Sequence, residues 1–283
     1  MAVIRLIRKR IRSIQSTAKI TRAMEMIATA RMRRAQLQAL AARPYAEKMS
    51  QVLADLATQQ EDTLHPLLTN REVKHIAVLH ITPDRGLCGG LNSNISRHAA
   101  AFILEQRAPV TLITAGRKGR DFMFRRGQDI RAEFSGISDR PSLADTLPIS
   151  RVVIDDYVDG FVDQIYLCYA EFISTTVQRP VLQQLLPIEP AQFEPGQTVE
   201  YIYEPSSIHV LDQLLPRYVE MQVYHAILES IASEHSARMV AMRNATDNAK
   251  EMIEELTLTY NKVRQEMITN ELLDISGGVA AQE

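Results

Sequence analysis

Apolar or small side chains recur every three to four residues at the start of the chain. They are Ile4, Ile7, Ile11, Ile14, Ala18 and Thr21, followed by Ala28, Met32, Ala35 and Ala39, with Glu25 interrupting. The end of the chain repeats the pattern at Leu228, Ala232, His235, Met239, Met242, Thr246, Ala249, Ile253, Leu256, Tyr260, Val263 and Met267. A stripe this narrow is the seam of a coiled coil, whereas a helix lying on a globular core buries a wider face. Neither segment is punctuated: Gly and Pro are missing from residues 1–43 and again from 217–276. At 1.5 Å per residue these stretches predict helices of roughly 65 Å and roughly 90 Å, too long for the interior of an ordinary domain.

Between them the period changes. The segments 73–82 (VKHIAVLHIT), PVTLITAG, DIRAEFSG, DQIYLCYAEFIS and QRPVLQQLLPI read as strands. They alternate with helical stretches at 91–107, RKGRDFMFRRG and LADTLPISRVVIDDYVDG. Asn92 is the expected N-cap of the first of these helices, and Pro148 is expected to kink or split the third. Such alternation implies a mostly parallel sheet with Rossmann-like layering. The predicted fold class is α/β: a long antiparallel coiled coil of N- and C-terminal helices with an inserted Rossmann-like α/β domain. The expected divisions are 1–60 for the first helix, 70–209 for the α/β domain and 210–283 for the second helix.

Charge supports the pairing of the two ends. Residues 1–43 carry eleven bases against the single acid Glu25, and residues 247–283 carry eight acids against Lys250, Lys262 and Arg264. Exposed ion pairs contribute only ~0.5 kcal/mol each, so burial of the seam must supply most of the stability. Small residues dominate 232–249 and recur at Ala28, Ala30 and Ala35. They describe either a slim coiled coil or a rod shaped to enter a narrow bore. The net charge of −2 argues against a general nucleic-acid binder, and no stretch approaches the ~18 apolar residues of a membrane span. Two cysteines, Cys88 and Cys168, give neither metal spacing nor a disulfide framework.

The stretch TPDRGLCGGLNSNI (82–95) sits where a phosphate loop would. The Lys-Ser/Thr pair of a P-loop is replaced by Leu91 and Asn92 after Gly90. The glycines also lack dinucleotide-fingerprint spacing, and PVTLITAG ends on Ala115 and Gly116 instead of an acid. The expected role is a tight strand-to-helix turn. Cys88 lacks a recognisable His–carboxylate set, so it reads as a small buried thiol. No catalytic, cofactor or metal constellation emerges.

Three stretches carry a family resemblance: 10–36 (RIRSIQSTAKITRAMEMIATARMRRAQ), 84–92 (DRGLCGGLN) and 233–275 (SEHSARMVAMRNATDNAKEMIEELTLTYNKVRQEMITNELLDI). Together they closely resemble the γ subunit family of F-type ATP synthases, from residue 4 to residue 278, with the central domain matching more loosely. The resemblance implies a non-catalytic rotor of the central stalk. It would penetrate a ring of α and β subunits, stand on the c-subunit ring beside ε, and couple proton-driven rotation to ATP synthesis or hydrolysis at β. It implies partner-contact roles for particular positions. Met24 in TRAMEM would lie near the moving tips of β. Arg238 in SARMV matches a coupling residue, and Arg264 and Gln265 in NKVRQ match a catch on a β loop. Thr269 and Glu271 in ITNEL match the same coupling surface, and Tyr201, Tyr203 and Glu204 in YIYEP match the foot on the c ring. No cofactor and no nucleic acid is expected, and the chloroplast-type regulatory cysteine pair has no match. The expected location is the cytoplasmic face of a bacterial plasma membrane, peripheral through the complex. The alternative is a coiled-coil adaptor with a Rossmann-like docking domain.

Overall fold

The structure, a computed structural model, describes residues 2–58, 65–188 and 206–280. The chain divides into two compact units, residues 1–27 with 239–283 and residues 28–238. Two helices contribute to both: α1 (Ala2–Thr58) and α5 (Ser207–Ala280). Each extends beyond its proline-free stretch, because α1 contains Pro44 and α5 contains Pro216. A proline inside a helix deletes one i→i−4 bond, and both helices run on past that loss.

The first unit is an antiparallel helix pair. Arg8 donates to the Tyr260 hydroxyl at 2.6 Å with its guanidinium over the ring, and the Thr21 and Thr246 hydroxyls meet at 2.7 Å. Moving thirteen residues along α1, from Arg8 to Thr21, corresponds to moving fourteen back along α5. That is the signature of two helices of equal rise running in opposite directions. The periodic positions are the covered ones. Ile4, Ile7, Ile11, Ile14 and Ala18 are half-buried between exposed neighbours, as are Ile253, Leu256, Tyr260, Val263 and Met267.

Glu25 does not interrupt this seam; it belongs to it. Only 6% exposed, it receives Arg22 at 3.0 Å on one oxygen and Arg243 at 3.1 Å on the other. This cross-helix pair runs against the net charges, since the acid comes from the basic helix and the base from the acidic one. The two guanidiniums remain more than half exposed. The carboxylate is therefore satisfied at the seam while its partners stay hydrated, which avoids most of the desolvation cost of a fully buried pair.

The second unit is a three-layer α/β assembly. Its sheet has the order β3-β2-β1-β4-β5, with β1 Ile76–Ile81, β2 Val110–Ala115, β3 Ile130–Phe134, β4 Gln164–Phe172 and β5 Gln178–Leu186. The first four run parallel and β5 is an antiparallel edge. The edge position tolerates Pro180, whose nitrogen cannot join a ladder. β1 is buried throughout and alternates its side chains between two cores. Ala77, Leu79 and Ile81 face the core containing Met49 and Leu53 of α1, Ile149 and Val153 of α4 (Leu143–Val158) and Leu211, Leu215 and Val219 of α5. Val78 faces the other core, with Leu91 and Ile95 of α2 (Leu91–Glu105) and Met123 of α3 (Arg117–Phe124).

Two local expectations are corrected. Asn92 is not an N-cap: α2 opens at Leu91 behind Gly90, and no side chain caps it. The amide of Asn92 instead donates to the Arg85 carbonyl at 3.4 Å, which ties the preceding turn to the helix. Pro148 does not split α4, which is one helix begun by a capping box between Ser142 and Asp145. The two Ser142 bonds hold the Asp145 carboxyl below its usual range.

His80 is fully buried on β1. Its Nε2 lies 3.2 Å from the Ser96 hydroxyl, and its Nδ1 is buried without a hydrogen-bond partner among the described residues. Burial lowers its pKa from 6.5 to about 4. The unfolded chain therefore binds more protons than the folded one between these values. Stability is fully present above pH 6.5 and is lost as pH falls toward about 4. Between pH 7 and pH 4.5 this histidine alone should remove on the order of 2 kcal/mol. Urea midpoints at the two pH values should show the loss, and His80→Leu should flatten the difference by that amount.

Candidate functional site

The glycine turn follows β1 and is built on tertiary contacts rather than on its glycines alone. Asp84 accepts the backbone N–H of Arg117 at 2.9 Å on one oxygen and that of Gly136 at 2.7 Å on the other. One carboxylate thereby gathers the loops that follow β1, β2 and β3. The neighbouring crevice, about 210 Å³, is lined by Asp84, Asp139 and Glu234 together with Gly116, Ser230 and Ile231. Arg85 and Arg117 line the same crevice, and each carboxylate lies beside a guanidinium: Asp84 near Arg117, Asp139 near Arg31 and Glu234 near Arg238.

Beyond that crevice the turn touches α5 at Cys88, which shares a core with Ala237. Leu87 has φ 63° and is 62% exposed, while Cys88 beside it is 1% exposed and packs with Leu91, Ile95 and Ala237. Burial pushes the Cys88 thiol up, with Arg238 opposing. A raised thiol in an apolar pocket is a poor nucleophile, which agrees with the structural role read for Cys88.

Arg238 is 11% exposed in its side chain. Its Nη2 donates to the Gly86 carbonyl at 3.0 Å and to Glu234 Oε1 at 2.6 Å, and its Nη1 donates to His235 Nδ1 at 3.2 Å. Accepting at Nδ1 puts the ring proton of His235 on Nε2, which lies 3.3 Å from Asp139 Oδ1. Asp139 in turn pairs with Arg31 of α1. Burial pulls the His235 pKa down to about 4, overcoming Asp139, and burial raises that of Glu234 against the pull of Arg238.

The other positions singled out from sequence fall in the first unit or outside the described residues. Met24 is half-buried on α1, one residue before Glu25. Arg264, Gln265, Thr269 and Glu271 are all exposed on α5. Thr269 and Glu271 lie among Ile268, Leu272 and Leu273, which are 46–62% exposed. Tyr201, Tyr203 and Glu204 lie outside the described residues. The structure thus separates the positions into two sets. Arg238 belongs to the unit of the glycine turn, and Met24 with the α5 positions beyond 260 belongs to the helix pair. Sequence reasoning missed Arg22, Glu25 and Arg243 as a group. The signal was present, since an acid at a seam position opposite a base on an antiparallel partner is a pairing pattern.

A family model described as ATP synthase matches residues 3–282. The ATP synthase gamma chain of Dehalococcoides mccartyi is 63% identical over 283 residues and covers 99% of each chain. That of Chloroflexus aurantiacus is 50% identical over 281 residues, with 97% of each covered. Among solved structures, the central stalk and c ring of the Tetrahymena thermophila mitochondrial ATP synthase contains a chain 25% identical, with a TM-score of 0.62. The match covers 80% of this chain and 99% of that one. A chain of the Euglena gracilis mitochondrial enzyme shares the fold at 20% identity, with a TM-score of 0.71 over 99% and 95% of the two chains. With a matching model over nearly its whole length and relatives at this identity, the chain belongs to the ATP synthase gamma chain family.

Proposed function

We propose that this chain is the central rotor shaft of a bacterial F-type ATP synthase and a mechanical coupler without bond-making residues of its own. The observation that carries the reading is the helix pair of the first unit. Its seam is a narrow apolar stripe with small residues only at Ala18, Thr21, Thr246 and Ala249, and its outer faces carry Val3, Leu6, Ile20, Met26, Ile27 and Leu258 at 53–71% exposure. Large apolar side chains in that density on a two-helix rod are surfaces that neighbouring subunits cover.

The mechanism follows from asymmetry. Two helices of different sequence cannot present three equivalent faces to a ring of α and β subunits. Each rotational position therefore gives each β subunit a different set of contacts. A ligand or partner shifts a conformational equilibrium only by its difference in affinity for the two states, and the shaft supplies that difference by angle. Arg264 and Gln265 are the catch on a β loop, Thr269 and Glu271 belong to the same coupling surface, Met24 lies near the moving tips of β, and the segment holding Tyr201, Tyr203 and Glu204 is the foot on the c ring. Among the described residues no helix is long and apolar enough to cross a membrane. Attachment is then peripheral through the complex, at the cytoplasmic face of the plasma membrane.

Affinity purification of the tagged chain from its native membranes should bring down α, β, ε and c subunits in constant proportion. Recovery of the chain without α and β would overturn the rotor assignment.

A further inference from the structure

Arg238 was expected to meet a partner subunit, yet nearly all of its side chain is spent inside its own unit. One guanidinium group joins Gly86, 152 residues away in sequence, to Glu234 and His235 on α5. Asp139, which pairs with Arg31 on α1, lies 3.3 Å from His235 Nε2 without a hydrogen bond between them. The residue Arg238 reaches first is unusual: Gly86 precedes Leu87, a bulky residue at φ 63°. Left-handed backbone at such a residue costs about 1 kcal/mol or more and persists only when its surroundings hold it. On one side of the turn Cys88 is sunk into the core with Ala237 of α5. On the other, the carbonyl of Gly86 is held by Arg238, and that of Arg85 by Asn92.

We propose that Arg238 is a positioning residue: a clamp that fastens the turn 84–90 to α5, so that turn and helix move as one body. Without it the Gly86 carbonyl loses its helix-borne donor, and Leu87 is held only by its neighbours: Cys88 in the core and Asn92, which donates to the Arg85 carbonyl and to Cys88 Sγ at 3.3 Å. A carbonyl accepting from a guanidinium is worth more than a neutral hydrogen bond, and the planar fork serves three acceptors where an ammonium could not hold the same geometry. The clamp stands on the geometry alone. Its consequence for energy coupling rests on the rotor reading, because only in a shaft does rigid attachment of a surface turn transmit force.

The two native cysteines make the test. Cys88 lies under the clamped turn, and Cys168, 0% exposed on β4, lies in the same core away from it. N-ethylmaleimide labelling of the full-length chain, resolved by peptide mass spectrometry, reports each separately. In Arg238→Met, labelling of Cys88 should accelerate about tenfold or more while Cys168 stays protected. Arg238→Lys should fall between this variant and the unsubstituted chain. The double variant Arg238→Met with Glu234→Gln, which leaves no unpaired buried carboxylate, should behave as Arg238→Met does and keeps the test open if the single variant fails to fold. Equal acceleration at both cysteines would mean general loosening and overturn the clamp, as would unchanged labelling at Cys88. ATPase turnover of the variants assembled with α and β then separates the two claims. Faster Cys88 labelling with undiminished turnover would keep the clamp and remove its role in coupling.

Discussion

Gly116→Ala should leave no folded second unit. Gly116 joins β2 to α3 at φ 112° and ψ 138°, in a region where a side chain is strained whatever the space around it. Space is absent as well. A Cβ there would stand 1.8 Å from the Thr82 carbonyl oxygen and 2.7 Å from its carbon. These are backbone atoms at the end of the central strand, and they are held on both sides: Thr82 N–H donates to Ala115 at 2.8 Å and Gly116 N–H donates to Phe134 at 2.7 Å. Relief would require parting β1 from β2 where the unit is most constrained. A loss beyond about 4 kcal/mol is expected, which approaches the whole stability of a domain at the low end of the usual range of about 5–15 kcal/mol. Gly119→Ala is the graded comparison. Its Cβ would meet side-chain atoms of the buried His80 and Thr82 at 2.6 Å, and overpacking against side chains costs about 1–3 kcal/mol, less than against fixed backbone. Gly127→Ala has open space and only its φ of 69° to strain it, so it should cost about 1 kcal/mol. Urea unfolding of the three full-length variants, followed by tyrosine fluorescence, should rank them in that order. A native-like midpoint for Gly116→Ala would show that the β1–β2 junction yields far more easily than its geometry implies.

The elements that sequence revealed are those whose signal is local and repeated. The seam from Ile4 to Met267 is legible because every turn of each helix restates it, and the burial pattern follows it position by position. β1 is legible because a strand covered on both faces is continuously apolar. The features that escaped depend on what lies across from a residue. Asn92 has the chemistry of an N-cap, but its amide donates to Arg85 in a turn that Arg238 and Asp84 also bond. Glu25 looks like a defect until Arg243, 218 positions later, is placed beside it. Asp84 gives no sign in sequence that it accepts from the loops after two other strands. Arg238 stands out in sequence only through its motif, and its hydrogen bonds here are made to Gly86, Glu234 and His235. Its surroundings are internal, and motif matching cannot tell an inward-facing arginine from an outward-facing one.

Arg264→Ala with Gln265→Ala should lower the ATPase turnover of the assembled complex about tenfold or more while leaving the helix pair intact. Both side chains are exposed, whereas the neighbouring seam positions Val263 and Met267 are the half-buried ones. Alanine has the highest helix propensity of any residue, so the substitution leaves the backbone and the seam undisturbed. What it removes is one guanidinium and one amide from a face that α1 does not cover. Hydrogen bonds to a charged group are worth about 1.5–3 kcal/mol each, and every 1.36 kcal/mol withdrawn from the rate-limiting barrier is tenfold in rate. Circular dichroism of the isolated double variant should match that of the unsubstituted chain, and gel filtration should show it entering the complex with α and β. Because fold and assembly are read separately from turnover, a slow but fully assembled complex can only reflect contacts made during the catalytic cycle. Undiminished turnover in an assembled complex would remove these two residues from the coupling surface and shift the search to Thr269, Glu271 and the exposed leucines beside them.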